Sequence, residues 1–218
     1  KRGATGLLST MLTKDTRQRS AAEVARYIEE IGGSFGPFSG NNSLGLAVEV
    51  LPPDADRAIR VLSEALLAPA FRPATFDLER ESQIAALQQD DDDVVTLARK
   101  RLRERFFGSH PLALDAGGNQ SGVKALCASD LATLHRHLSV GSNVVLAVAG
   151  DFDPRKLVPK LKAFLLKLPR GKAPAWTVPA GGAVLPAEVG DFVEIQPREQ
   201  AVVLQAFPGT AVNADDFY

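Results

Sequence analysis

The chain has 218 residues, of which 45% are hydrophobic and 23% charged, and its formal net charge is −1. This composition is that of an ordinary globular protein with one large domain or a tightly joined pair, and the balanced charge excludes the basic footprint of a nucleic-acid-binding protein. A single cysteine, Cys127, excludes an internal disulfide, and no apolar run is long enough to predict a transmembrane helix.

The first 35 residues predict two helices joined by a polar turn and ended by glycines. The apolar side of the first helix consists of residues at helical spacing, which are Leu7, Leu8, Met11 and Leu12. Ser20 followed by Glu23 is a capping box, in which the hydroxyl and the carboxylate satisfy backbone amides at the start of the second helix. Gly32 and Gly33 can adopt a left-handed conformation and so predict where this helix ends.

Two strands joined by a turn are predicted next. Residues 34–40 predict a short strand, which Pro37 restricts to a sheet edge or a bulge because proline has no amide hydrogen to donate. The Gly-Asn-Asn sequence at residues 40–42 predicts a turn. In residues 44–50, leucine and valine alternate with small or charged residues, which is typical of a strand with one buried face.

The remaining chain is predicted to form helices, a loop and further strands. Helical spacing and capping residues predict helices at about residues 54–67, 75–89, 94–107, 129–138 and 154–166. Ser129 is the expected cap of the fourth of these, and Asp153 with Pro154 opens the fifth. Residues 115–122 predict a loop, and the four aspartates at 90–93 predict a solvated break between helices. Hydrophobic runs predict strands at residues 142–150, 189–196 and 200–207.

The opening stretch resembles the first motif region of the pitrilysin, insulinase and mitochondrial processing peptidase family, the inverted zincins. That family reads G-x-x-H-x-x-E-H-M-L-x-x-G-T-x-x-R-S, followed by an amphipathic helix and I-E-x-x-G-G. The frame of this motif is present at Gly3, Met11, Leu12, Thr16, Arg19, Ser20, Glu23, Ile28, Glu29, Gly32 and Gly33. The F-G-x-H-P turn at residues 107–111 also matches, and the resemblance covers nearly the whole chain.

The catalytic groups of the family motif are absent. H-x-x-E-H supplies two zinc-ligating histidines and a general-base glutamate, but the two ligand positions carry Gly6 and Thr10, and the base position carries Ser9. The third ligand of the family, a glutamate on a later helix, falls at Gln88, with Leu87 as the neighbouring alternative. The resemblance therefore implies an inactive homologue without zinc, because no residue would hold the metal or activate water.

Other catalytic and metal sites are not favoured by the sequence. His135 and His137 are two positions apart on a helix and cannot bind one ion from the same face, and His110 precedes a proline in a turn. We expect these histidines to be surface or hydrogen-bonded groups, and Cys127 to be an inert core residue. The acidic run at residues 90–93 lacks the ligand spacing of a calcium loop.

The strand after the glycines is a candidate peptide-binding edge. In the family this strand pairs with the backbone of the substrate, and the matching positions include Gly36, Pro37, Phe38 and Ser39. Because Pro37 removes one donor, a docked peptide would form fewer backbone hydrogen bonds. A purely structural edge is the alternative, and the sequence favours it.

We predict an α+β fold with a mixed, largely antiparallel sheet and helices packed on one face. Residues 1–168 are expected to form an inverted-zincin-like domain, truncated at its N-terminus. Residues 169–188 are expected to be a connector rich in proline and glycine, and residues 189–218 to be strands leading into a second half.

The resemblance implies that the protein is the architectural and peptide-holding partner of a catalytic homologue. Zinc is then expected only in that partner, and no cofactor is expected in this chain. Two alternatives are an active zinc metallopeptidase with displaced ligands and a structural scaffold like the core subunits of a respiratory complex. The composition, rich in alanine and arginine, favours a bacterial protein, and the resemblance favours the periplasm over the cytoplasm.

Overall fold

The chain divides into two structural units. The computed structural model describes residues 1–40, 42–175, 186–197, 199–210 and 214. The first unit comprises Lys1–Ile84 and Ala116–Ala175, and the second comprises Ala85–Asp115 and Trp176–Tyr218. Asn41 in the predicted turn, residues 176–185 in the predicted connector, and the last four residues of the chain lie outside the described residues.

The described residues form eight α-helices and one β-hairpin. The helices are α1 (Ala4–Leu12), α2 (Ala21–Glu29), α3 (Ala55–Leu67), α4 (Pro73–Asp92), α5 (Val94–Phe107), α6 (Gln120–Lys124), α7 (Ala128–Leu138) and α8 (Pro154–Leu165). The hairpin strands β1 (Ser34–Ser39) and β2 (Leu44–Glu49) pair antiparallel, with Ser34 opposite Glu49 and Ser39 opposite Leu44. The predicted α+β class is confirmed. None of the described helices is both long and apolar enough to cross a membrane.

The core of the first unit lies on one face of the hairpin. Leu44 and Leu46 pack against a cluster centred on α1, whose buried members are Leu7, Leu8, Met11, Leu12, Phe76, Leu126 and Leu131. Val48 and Phe35, which face each other across the hairpin, pack against Val24, Ile28 and Val61 of α2 and α3. The predicted apolar side of the first helix and the predicted buried face of β2 are therefore confirmed.

The turn between α1 and α2 is bonded to the linker that follows α3. The amide of Arg17 donates to the carbonyl oxygen of Ala68, and the amide of Ala70 donates to the carbonyl oxygen of Asp15, both over 2.8 Å. Because both bonds join backbone atoms, this connection does not depend on side-chain rotamers. It fixes the position at which the chain leaves α1 and enters α2.

An ion pair between Arg19 and Glu64 joins the same turn to α3. The side chain of Glu64 is only 9% exposed, and the guanidinium of Arg19 also stacks on the ring of Tyr27, 4.1 Å from its centroid. The predicted capping box is present beside this pair, since the amide of Ser20 donates to the Glu23 carboxylate over 2.7 Å. α2 is therefore held at its first turn by its own cap and by α3.

Three of the predicted strands are not formed in the described part of the chain. Residues 142–150, 189–196 and 200–207 have no ladder hydrogen bonds, and Val145 and Val193 are 93% and 87% exposed. A hydrophobic run supplies side chains suited to a sheet, but a strand also needs a neighbouring strand for its backbone amides and carbonyls. The described sheet is therefore a two-stranded antiparallel hairpin instead of the larger mixed sheet that the sequence predicts.

The predicted break between two long helices is confirmed at Asp93. α4 continues to Asp92, so it is longer at both ends than the predicted 75–89. The carboxylate of Asp93 accepts a hydrogen bond from the amide of Thr96 over 2.7 Å and so caps α5. Lys100 bridges two further carboxylates of the run, Asp90 and Asp91. The positive charge of this lysine reduces the electrostatic repulsion among the four consecutive aspartates.

The predicted cap of α7 and the predicted burial of Cys127 are both wrong. The helix begins at Ala128 and Cys127 is its N-cap. Its amide donates to the Asp130 carboxylate over 2.9 Å, and its thiol lies 3.0 Å from the same carboxylate. Because a residue at the N-cap faces the open end of the helix, Cys127 is exposed, although the residue before it, Leu126, is buried.

Loss of the Arg19–Glu64 pair is expected to destabilise the fold. Arg19→Ala should lower the free energy of unfolding by about 3 kcal/mol, because the carboxyl group of Glu64 would be left without its ion-pair partner and with little access to water. Urea unfolding followed by circular dichroism measures this change. Arg101→Ala is the control, since Arg101 and Glu104 form a pair in which both side chains are about half exposed. Its expected loss is below about 1 kcal/mol, and equal losses in the two variants would contradict the structural role of Arg19.

Candidate functional site

The positions of the missing H-x-x-E-H motif lie on α1. Gly6 and Thr10 are four residues apart and share one side of the helix. Ser9 is buried, and its hydroxyl donates to the carbonyl oxygen of Gly6 over 2.8 Å. A residue without a side chain, and a hydroxyl that is already bonded to its own helix, supply neither a zinc ligand nor a general base.

Gln83 and the loop before α6 occupy the space in front of Gly6. A Cβ atom placed on Gly6 would lie 3.4 Å from the carbonyl oxygen of Ala116 and 3.5 Å from Nε2 of Gln83. The side-chain amide of Gln83 donates to the carbonyl oxygens of Gly3 and Gly117 over 3.2 and 2.8 Å. There is therefore room for a methyl group at position 6, but an imidazole would displace the loop or the amide.

Glycines on both sides allow this loop to approach α1. Gly3 and Gly118 have φ angles of +87° and +83°, which side chains other than glycine rarely adopt. A Cβ on Gly3 would lie 2.7 Å from the carbonyl oxygen of Gly117, and a Cβ on Gly118 would overlap the backbone of Gly3. Backbone contacts thus close the end of α1 at which the first metal ligand of the family would project.

The predicted position of the third ligand lies on α4, within the second unit. Gln88 is exposed there and Leu87 is buried, and the assignment of Gln88 to the lost ligand stays a prediction. The α4 residue that reaches the start of α1 is Gln83, which the sequence analysis did not select. Its backbone partners are 80 and 34 residues away in the chain. No local sequence signal identifies contacts of this kind.

The residues on this face of α1 do not fit a catalytic zinc ion. Such an ion needs three protein ligands and an open position for water, whereas α1 offers glycine, serine and threonine at the motif positions. Throughout the part of the chain that the structure describes, no group of three or more His, Cys, Asp or Glu side chains is arranged to hold a metal.

The histidines serve structural roles in their own units. His135 is buried in the first unit, and its Nε2 lies 2.9 Å from the carbonyl oxygen of Leu66. His137 is exposed on the other side of α7. In the second unit, Nδ1 of His110 accepts a hydrogen bond from the amide of Leu112 over 3.1 Å and caps a 3₁₀ turn. These contacts agree with the surface or hydrogen-bonded roles expected from the sequence.

The candidate peptide-binding strand β1 has two different faces. Gly36 and Phe38 share the outer face of β1, and the half-exposed ring of Phe38 lies over Gly45, where a Cβ would overlap it. The hydroxyl of Ser39 is buried and has no hydrogen-bond partner among the described residues. Within those residues β1 pairs with β2 alone, so no described strand occupies its second backbone edge.

A shallow groove of about 410 Å³ lies between α2 and α3. Its carboxylates are already engaged, since Glu64 pairs with Arg19, Glu30 faces Arg57 at 3.7 Å and Glu23 belongs to the capping box. The residues that line it include no histidine, cysteine or serine. The groove therefore provides no pair of nucleophile and base.

Two family profiles match the chain. The profile described as insulinase (peptidase family M16) matches residues 1–118. The profile described as the peptidase M16 inactive domain matches residues 126–218. The chain is thus similar to zinc peptidases over its first half and to a domain described as inactive over its second half.

The chain is also similar to individual proteins of this kind in sequence and in fold. The chain is 29% identical to an uncharacterized zinc protease of Streptomyces coelicolor, over 96% of this chain and 46% of that protein. It is 26% identical to the non-peptidase homolog YmxG of Helicobacter pylori, over 78% of this chain and 40% of that protein. It therefore spans less than half the length of these relatives. The crystal structure of a peptidase M16 inactive domain from Pseudomonas fluorescens has the same fold, with a TM-score of 0.74 and 21% identity, over 80% of this chain and 43% of that one.

Restoring the motif residues alone is not expected to create a zinc site. The triple variant Gly6→His, Ser9→Glu, Thr10→His should hold less than about 0.1 zinc per chain after dialysis, because the open coordination space is missing. It should also be destabilised by at least about 2 kcal/mol, since the imidazole overpacks the loop contact and the new carboxylate is buried. Elemental analysis and urea unfolding measure the two effects.

Gly6→Ala is the matched control for this variant. A methyl group fits at position 6, and alanine favours a helix over glycine by about 0.5–1 kcal/mol. The stability of Gly6→Ala should therefore be unchanged or slightly higher. A triple variant that keeps about one zinc per chain would show that the loop moves aside, and would contradict the closed site.

His135 is expected to make stability depend on pH. Burial lowers the pKa of His135 from its ordinary value of 6.5, although the hydrogen bond to Leu66 raises it. The unfolded chain then binds the proton more readily, so this contribution to stability is present above about pH 6.5 and is lost as the pH falls below that value. Urea unfolding between about pH 7 and pH 5 should show this loss in the wild type and in the control His137→Gln. An equally large loss in His135→Gln would assign the effect to other groups.

Proposed function

Because this chain belongs to peptidase family M16, whose profile matches residues 1–118, we propose that it is the non-catalytic partner of a catalytic homologue of that family. Its role is to build the shared architecture and to hold the peptide, and the zinc ion that acts on the peptide bond is held by the partner alone. The observation that carries this proposal is the closed end of α1, where backbone atoms and the amide of Gln83 stand beside Gly6.

The architectural part of the proposal is supported by what the helix pair retains. The buried face of α1, the capping box of α2 and the Arg19–Glu64 pair together keep α1 and α2 in a defined arrangement. A chain with this arrangement and without groups for hydrolysis can still increase a rate by binding and orienting a peptide. Similarity to a relative named as a non-peptidase homolog supports the same interpretation.

The peptide-holding part of the proposal is supported by the second backbone edge of β1, which no described strand occupies. An extended peptide can add to such an edge through backbone hydrogen bonds, with alternate side chains in contact with the sheet face. Pro37 offers no amide hydrogen, so recognition there depends more on side-chain contact. The half-exposed ring of Phe38 is the apolar group available for that contact.

Reconstitution with the partner tests this function. The protein and a homologue from the same genome with an intact H-x-x-E-H motif should elute together in size-exclusion chromatography, and the complex should cleave an unstructured peptide. Phe38→Ala in the complex should raise KM about fivefold and change kcat by less than about twofold, because it weakens binding before the chemical step. Leu78→Ala, which truncates another exposed apolar side chain, of α4, should change neither constant.

Other results would contradict the proposal. The protein alone with about one zinc per chain, lost in variants of His110 or His135, would indicate a metallopeptidase with displaced ligands. Co-purification with a membrane-embedded complex, and no effect on the homologue, would indicate a structural scaffold. A catalytic homologue that binds and cleaves equally well without this protein would exclude the peptide-holding role.

A further inference from the structure

Seven exposed basic side chains lie on α8 and in the segment after it, and one of them, Lys160, is paired with Asp56. The other six have no ion pair among the described residues. They are termed the α8 basic surface and consist of Arg155, Lys156, Lys162, Lys167, Arg170 and Lys172. The sequence contains no aspartate or glutamate between Asp153 and Glu188. Since the whole chain has a net charge of −1, this segment holds a local excess of positive charge that the overall composition conceals.

α8 is fixed in the first unit by its opposite face. Leu157 and Phe164 are buried, and the ammonium group of Lys160 bonds the carboxylate of Asp56 on α3 over 2.8 Å. Within the described residues, no side chain of the α8 basic surface forms an ion pair or hydrogen bond of its own. The six charges are therefore presented to solvent by a helix that is already folded and packed.

Leu166 places an apolar side chain within the same surface. It is 84% exposed and continues the helical backbone at the C-cap of α8. At about 100° per residue, Arg155, Lys162 and Leu166 fall within about 40° of arc, on the side away from Phe164. The outer side of α8 thus combines basic residues with a projecting leucine and the partly exposed Val158.

We propose that the α8 basic surface docks this protein on an anionic lipid bilayer, with Leu166 entering the interface. Anionic headgroups attract clusters of lysine and arginine close to the membrane surface. The leucine side chain gains free energy when it leaves water for the boundary of the acyl chains. This proposal does not depend on the proposed pairing with a catalytic homologue.

Two other anionic partners fit the surface less well. A nucleic acid would use the lysines and arginines at its phosphates, but the aromatic ring of α8, Phe164, is buried and the ring of Phe152 before the helix is only 36% exposed. Little aromatic surface is thus offered for stacking on bases. An acidic protein would need a pocket that matches the projecting side chain of Leu166. A bilayer accepts an isolated apolar side chain without a preformed pocket, and it is therefore the partner that the combination of charge and leucine favours.

Vesicle flotation with the full chain tests this proposal. Vesicles of phosphatidylcholine with about 30% phosphatidylserine should bind the protein at least about tenfold more strongly than pure phosphatidylcholine vesicles at low salt. Raising the salt to about 0.5 M should release it, because the Debye length then falls below about 5 Å. Lys162→Glu with Lys167→Glu should lower binding at least about tenfold, and Leu166→Ser should lower it about fivefold with the salt dependence unchanged.

The control variant reverses the same number of charges elsewhere in the first unit. Arg17→Glu with Lys124→Glu alters two exposed residues that belong neither to α8 nor to the segment after it, and it should bind anionic vesicles within about twofold of the wild type. Far-ultraviolet circular dichroism checks that each variant is folded, and Arg155→Glu with Arg170→Glu provides a second pair of substitutions in the surface.

Three results would overturn the proposal. The first is equal binding to neutral and anionic vesicles, and the second is equal loss of binding in the α8 and control variants. The third is that duplex DNA or poly-glutamate binds the protein more tightly than the vesicles do, and that Leu166→Ser does not change this binding. That third result would assign the α8 basic surface to a nucleic acid or to an acidic protein.

Discussion

The hydrogen bonds of Gln83 hold the loop before α6 against the start of α1. One side-chain amide donates to the carbonyl oxygens of Gly3, at the start of α1, and of Gly117, in the loop before α6. It thereby joins α4, α1 and the loop at one point, and at Gly3 it adds a second hydrogen bond to a carbonyl oxygen that also accepts the amide of Leu7. This position of the loop removes the space into which a metal ligand on α1 would project. The contact that holds the loop against α1 therefore also leaves no room for a metal ligand at position 6.

α1 can keep its fold without catalytic groups because core packing and metal binding use different sides of the helix. Leu7, Leu8, Met11 and Leu12 pack in the core, whereas the ligand positions lie on the side next to them. Core residues would leave cavities costing several kcal/mol if they were truncated. The ligand positions carry no such constraint once the metal is absent, and closing an open polar site with satisfied backbone contacts tends to favour stability over activity.

The local features of the fold were predictable from the sequence and the long-range features were not. The capping box at Ser20, the buried face of α1 and the hairpin strands depend on residues within a few positions of one another, and all are present. Gln83 acts through backbone atoms far along the chain, and the hydrophobic run at 142–150 lacks a described strand to pair with. Cys127 shows a subtler limit, since a shift of two residues in the helix start turns an expected core residue into an exposed cap.

α3 connects the hairpin, the turn before α2, and α8 within the first unit. Its Glu64 holds the turn before α2, its Val61 packs in the cluster that includes Val48 and Phe35 of the hairpin, and its Asp56 bonds Lys160 of α8. Asp56 and Glu64 are separated by about 12 Å of helix, so one rigid element carries both attachments. The second backbone edge of β1 and the α8 basic surface are therefore held in one packed unit. A peptide bound at the first would keep a fixed relation to a bilayer bound at the second.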